Sequence, residues 1–248
     1  MAKYRRKKKI RLKDFSFILY LLVITALFVI GAVKYGQGGH TGAQSEEIGT
    51  FESLPADADK NAYEIRNDNR PYFTEDEIKA ESFESYSDLD ALGRCGVATA
   101  CLSTDTMPAP GEERQPIGHV RPSGWHTVKY PGIIEDLYCF NRAHLIGWQL
   151  GSENDNEKNL ITGTRFLNVS GMLPFENKVA EYIRKTKNHV MYRVTPVFEG
   201  DNLVASGVLM EAKSVEDDGC IFCVYCYNIQ PGISIDYRTG ETRVSENP

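Results

Sequence analysis

His144 closes the run Tyr138-Cys-Phe-Asn-Arg-Ala-His144, with Asn141 and Arg142 just ahead of it. Asn159, Asn168 and Glu176 follow, polar residues set in stretches otherwise compatible with helix. A neutral imidazole with its ordinary pKa of about 6.5 can take a proton from water at working pH. An amide oxygen can ligate a hard cation, and a guanidinium offers an anion two parallel donors. Imidazole, amide and carboxylate in one segment point to metal-assisted hydrolysis. Each residue also has a plainer reading. A histidine after a strand is commonly a satisfied core or surface residue. Asparagine disfavours helix interiors, so Asn168 reads as a cap as readily as a ligand. Glu176 reads equally as a first-turn carboxylate favoured by the helix dipole.

These residues need strands and helices to hold them. Ala62–Ile65 reads as a short strand and Asn67–Pro71 as a turn. Thr74 and Glu77 have capping-box spacing, which predicts a brief helix. Ser87–Gly93 reads as a helical turn closed by glycine, Cys95–Leu102 as a strand and 103–119 as a loop. Trp125–Tyr130 alternates in the manner of a half-buried strand, and Leu137–Phe140 predicts a second strand leading to the histidine. From Lys158 onward the chain reads as helical. Over Pro174–Lys185, Phe175, Val179, Tyr182 and Ile183 recur at amphipathic helical spacing. Strands are expected over 189–197, 203–213 and 220–229, with a last turn over Tyr237–Gly240. That succession predicts an α+β domain with a largely antiparallel sheet.

The 248 residues suffice for one globular domain with appendages. The net charge of −6 is unevenly spread. Residues 1–14 hold eight Lys/Arg against Asp14, or +7, which leaves −13 on the rest as the difference from −6. Such an acidic domain is not a simple electrostatic nucleic-acid binder; a polyanion would need a local basic patch or a bound cation. Phe15–Val33 is an uncharged apolar run close to the ~20 residues that span a bilayer. The basic flank would keep the N-terminus cytoplasmic and export the remainder. A cleaved signal peptide, cut near Thr41-Gly42-Ala43, is the alternative. The expected division is a basic head over 1–14, a transmembrane helix over 15–33, a flexible stalk over 34–61 and one domain over 62–248. Export makes disulfides among six cysteines feasible. Alternation along a strand would set Cys220 and Cys226 on one face and Cys223 on the other, an arrangement for buried thiols and not for zinc.

The segments NRAHLIGWQL, NEKNLITGTRFLN and MLPFENKV, with Asn141, His144, Asn159, Asn168 and Glu176 in them, resemble the DNA/RNA non-specific endonucleases of the ββα-metal superfamily. That group includes secreted nucleases and membrane-anchored nucleases of competent Gram-positive bacteria, and the likeness runs over about residues 62–242. The resemblance implies the ββα-metal fold, flanked by helices and preceded here by the transmembrane helix. It implies His144 as general base, Asn168 as the protein ligand of Mg²⁺ (with Mn²⁺ as a substitute) and Glu176 as the carboxylate holding a water of that cation. It places Asn159 near the phosphate, Arg142 as phosphate contact or orienter, and Arg121 as a transition-state donor. The family signature Asp-Arg-Gly-His reads Asn141-Arg-Ala-His144 here. The change removes a carboxylate that could support the imidazole, and adds a Cβ that matters only if φ must be positive. Lys178, Arg184, Lys185, Lys187 and Arg193 would track a nucleic-acid backbone, or form an ordinary solvated face. The expected activity is endonucleolytic hydrolysis of DNA and RNA outside the membrane. A catalytically impaired binding module on the same fold is the competing reading, and a toxin would share the chemistry. Oligomeric state stays open.

Overall fold

The computed structural model describes residues 61–246. The basic head, the apolar segment 15–33 and nearly all of the expected stalk lie outside them. Among the described residues no helix is long and apolar enough to cross a membrane.

Six strands form one sheet in the order β1-β8-β7-β6-β3-β2. They are β1 (Tyr63–Ile65), β2 (Phe83–Tyr86), β3 (Ala98–Leu102), β6 (Val190–Val197), β7 (Gly207–Ser214) and β8 (Ile221–Tyr227). Every pairing in it is antiparallel. A separate antiparallel pair joins β4 (Phe140–His144) to β5 (Leu160–Thr164), and a terminal hairpin joins β9 (Ile233–Asp236) to β10 (Glu241–Val244). Between β4 and β5 lies the short helix α1 (Trp148–Gly151). After β5 come a π-helical stretch, Leu167–Met172, and the long helix α2 (Leu173–Thr186). The architecture is mixed α+β with a mostly antiparallel sheet, as expected.

Helix α2 forms where the 3.6-residue period predicts it. Pro174 suits its first turn, where its missing N–H is no loss, and Lys187 ends it in a left-handed conformation (φ +66°). Val179, Ala180 and Ile183 are buried in the same core as Ala100, Leu102, Tyr192 and Val194 of the sheet. Phe175 packs between Tyr63 (ring centroids 4.8 Å apart) and Phe222 (5.0 Å). Burial of one such aliphatic side chain contributes roughly 1.5–3 kcal/mol, so the helix is held by this face rather than by propensity. Along β8, Phe222, Val224 and Cys226, with Cys220 just before them, belong to the same core, while Cys223 is outside that cluster and its backbone N–H donates to the Asn69 side chain (3.2 Å). All six cysteines are buried free thiols.

Several local expectations are corrected. Thr74 and Glu77 make the capping-type bonds, Glu77 accepting from the Thr74 N–H at 2.8 Å, but they close a turn and no helix follows. Ser87–Gly93 likewise contributes only a turn ending at Gly93 (φ +72°). Trp125–Tyr130 is not a strand; one isolated bridge, Lys129 to Tyr138, is all its pairing. The strand expected over Leu137–Phe140 starts at Phe140 and runs through the histidine motif to His144. Lys158 onward is a 3₁₀ turn (Glu157–Asn159) followed by strand β5, not helix. All five residues of β5 are buried, so no alternation marks it in the sequence.

Candidate active site

Strands β4 and β5 carry the site, with His144 opposite Leu160 at their end. Ala143 does not have positive φ, so the alanine costs no backbone strain. Its methyl fits because Gly163 faces it: a Cβ on Gly163 would stand 2.6 Å from that of Ala143. After β5 the chain widens into the π-helical stretch, a distortion frequent at functional sites, and Asn168 sits inside it. Glu176 follows in the first turn of α2. Its carboxylate presses on Gly147, where any Cβ would come within 2.8 Å of it.

The strand pair, the π-helical stretch and α2 enclose a cleft of about 800 Å³. His144, Asn168, Glu176, Arg142, Arg121 and Asn141 all line it. Asn159 and Arg184 do not. Asn159 is wholly buried: its Oδ1 accepts from the Ile146 N–H (2.8 Å) and its Nδ2 donates to the Ile146 carbonyl (3.0 Å). The structure therefore does not bring Asn159 to the cleft with the others. Asn159 fixes the backbone just after His144. Arg184 lies in the last turn of α2, eight residues and so about 12 Å of helix beyond Glu176. Of the five basic residues expected as a track or a solvated face, Arg193 is ion-paired with Glu211 (2.7 Å) and Glu77 (3.0 Å).

The partners of His144 define its proton. Nε2 lies 2.8 Å from the Asn154 carbonyl, which can only accept, so Nε2 carries the hydrogen. Nδ1 lies 3.1 Å from Arg114 Nη2, which can only donate, so Nδ1 presents its lone pair. Burial, reinforced by the Arg114 charge and opposed by the Asn154 carbonyl, lowers the imidazole pKa to about 4. The ring is neutral at pH 7. Asn141 makes no bond to it; orientation comes from the Asn154 backbone, which relieves position 141 of that task.

Arg114 is the residue the sequence did not disclose, since it sits in the long loop before β4 without periodicity or motif. Arg142 donates to the carbonyls of Val120 (2.6 Å) and Gly118 (2.8 Å), with its guanidinium 4.0 Å above the Trp125 ring. It anchors the loop that presents Arg121, which itself donates to Val120 (3.1 Å) and Gly118. Four arginines, Arg114, Arg121, Arg142 and Arg165, thus line one cleft of an otherwise acidic chain.

Burial pushes Glu176 up to about 7, against hydrogen bonding from Gln149 and the Arg114 charge. Its folded pKa is raised above the unfolded value of 4.5, so the stability it contributes is present below pH 4.5 and lost as pH rises through 7. In chelator, Glu176→Gln is expected to match the unaltered protein near pH 4. By pH 8 it should exceed it by on the order of 3 kcal/mol. Denaturant unfolding at the two pH values checks this, and a pH-independent difference would refute it.

Residues 73–216, more than half of the chain, match the model of the DNA/RNA non-specific endonucleases. The chain belongs to that family. A deoxyribonuclease of Streptococcus dysgalactiae subsp. equisimilis is 36% identical over 119 residues, 44% of this chain and 36% of that protein. The chain thus spans about a third of that curated relative's length. The fold resembles that of NucA from Streptococcus agalactiae, solved with magnesium, at TM-score 0.64 and 24% identity over 72% of this chain and 86% of that one. The Sda1 nuclease, solved with zinc, gives TM-score 0.64 and 26% identity over 75% and 97%.

Proposed function

We propose that this chain is a metal-dependent, sequence-non-specific endonuclease of the ββα-metal type, cutting DNA and RNA. We place its nuclease domain, residues 62–248, outside the cell membrane, tethered through the apolar segment 15–33. The observation that carries the reading is the meeting of His144, Asn168 and Glu176 in one arginine-lined cleft.

The donor set fits a hard divalent cation. The Asn168 amide makes no hydrogen bond among the described residues, and the Glu176 carboxylate shares its cleft. Among those residues no three His, Cys, Asp or Glu side chains stand close enough to cage a metal. One amide and one nearby carboxylate suit Mg²⁺, which keeps most of its waters, better than an ion needing a full protein cage. Mn²⁺ should substitute. The zinc in Sda1 supports a divalent cation on this fold. When bound, the ion would act as Lewis acid toward the scissile phosphate and the leaving oxygen. Asn168 would hold it, and Glu176 would orient a water beside it.

The chain's own groups supply the rest. A phosphate is a stronger acceptor than imidazole for Arg114, so substrate entering the cleft would draw that guanidinium away from Nδ1. His144, held by Asn154, then takes a proton from the attacking water at Nδ1. Arg121 meets the charge gathering on the phosphoryl oxygens. The purified full chain should degrade plasmid DNA and RNA with Mg²⁺ and stop with EDTA. Retention of DNA at low salt with no cutting in Mg²⁺ or Mn²⁺ would instead establish the binding module.

A further inference from the structure

The cleft has one wall that phosphate chemistry does not explain. Tyr138 lines it, yet the residue is 41% exposed, with Leu137 (41%) and Ile133 (44%) also exposed on the loop leading into β4. The Lys129 ammonium stands 4.7 Å from the centre of the Tyr138 ring. The backbone there is strained. The Tyr138 N–H donates to the Asp136 carbonyl two residues back (2.9 Å), closing a γ-turn around Leu137 at φ +71°. That is the rare form of the turn, in a conformation L side chains seldom adopt.

Such strain persists only where the surroundings over-determine it. Here they do. Tyr130 donates to the Leu137 carbonyl (2.8 Å), Cys139 to Val128 (3.0 Å) and Arg165 to Cys139 (2.8 Å). Arg165 is also ion-paired with Asp136, and buried Ile134 packs with Cys139, Phe140 and Ile233 beneath the loop. All this order fixes the backbone that carries an aromatic ring which is not itself buried. An exposed ring on so ordered a backbone, lining the arginine-rich cleft with an ammonium over one face, has the make-up of a nucleotide subsite: the other π-face for the base and a cation for the next phosphate.

We propose that Tyr138, with Lys129, forms a base-stacking subsite for the nucleotide flanking the scissile phosphate, so that the enzyme favours strands whose bases can unstack to reach it. The inference rests on the nuclease reading and adds a substrate preference to it. Stacking reads a π-face shared by all bases, so it adds no sequence preference.

The test compares a single-stranded DNA oligonucleotide with the same-length strand in which every base is replaced by an abasic residue, using the full chain in Mg²⁺. The unaltered protein should show a KM about tenfold lower on the base-bearing strand, within the range measured for base–aromatic stacking. Tyr138→Ala should raise that KM to the abasic value, and Tyr138→Phe, which keeps the π-face, should restore the difference. Discrimination undiminished in Tyr138→Ala, with cutting intact, would overturn the subsite alone. No cutting of either strand by the unaltered chain would overturn the nuclease reading and the subsite with it.

Discussion

Replacing His144 by alanine is expected to lower kcat on plasmid DNA by about 10²–10⁴-fold, the usual contribution of a positioned general base. The geometry makes the assignment specific to one atom. The Asn154 carbonyl holds the hydrogen on Nε2, and Nδ1 is left with the free pair. Burial keeps the ring neutral by lowering its pKa to about 4, so at pH 7 nearly every molecule has a base that can accept. That pKa also makes the imidazole an intrinsically weak base, since the best catalytic pKa lies near the operating pH. The departure of Arg114 to the phosphate removes one of the two causes that lower it. Arg114→Ala should therefore leave a more basic imidazole and a poorer phosphate site, and its loss should appear chiefly in KM. The alanine variant of His144 should bind DNA as tightly as before, because Arg114, Arg121 and Arg142 remain.

The second large effect is expected at Asn168. Asn168→Ala should cut activity at low millimolar Mg²⁺ by about 10³-fold, the scale of a lost Lewis acid contributing several kcal/mol. It should also move half-saturation to higher Mg²⁺. Asn159→Ala gives the contrast. It removes two buried backbone bonds to Ile146 and strands their partners, which costs roughly 2–4 kcal/mol of stability, with half-saturating Mg²⁺ little changed. Mg²⁺ titrations of cleavage, paired with denaturant unfolding, separate the two. An unaltered Mg²⁺ requirement in Asn168→Ala would remove that residue from the metal site.

The contrast also shows where the sequence was legible. Helix α2 could be read because Phe175, Val179, Tyr182 and Ile183 repeat at the helical period, and β6 to β8 because β-formers fill runs of strand length. Strand β5 could not, since it is buried on both faces and its Leu-Ile-Thr-Gly-Thr does not alternate. Trp125–Tyr130 alternates, but a strand exists only with a partner, and no run of sequence announces one. His144, Asn168 and Glu176 were legible through their spacing within a family pattern. Asn159 and Asn168 carry the same side chain, and only the fold separates the one that ties down Ile146 from the one that faces the cleft. Arg114 was hidden in a loop of more than 30 residues between β3 and β4. Asn154 was invisible in principle, because it acts through its backbone carbonyl and any residue would serve there.

The most direct test of the central claim is single-turnover cleavage by the full-length His144→Gly protein in Mg²⁺, with and without added imidazole. Cutting should be almost wholly lost without imidazole and recover dose-dependently with it, most strongly where imidazole is neutral. Cutting at the unaltered rate with no imidazole present would contradict that claim.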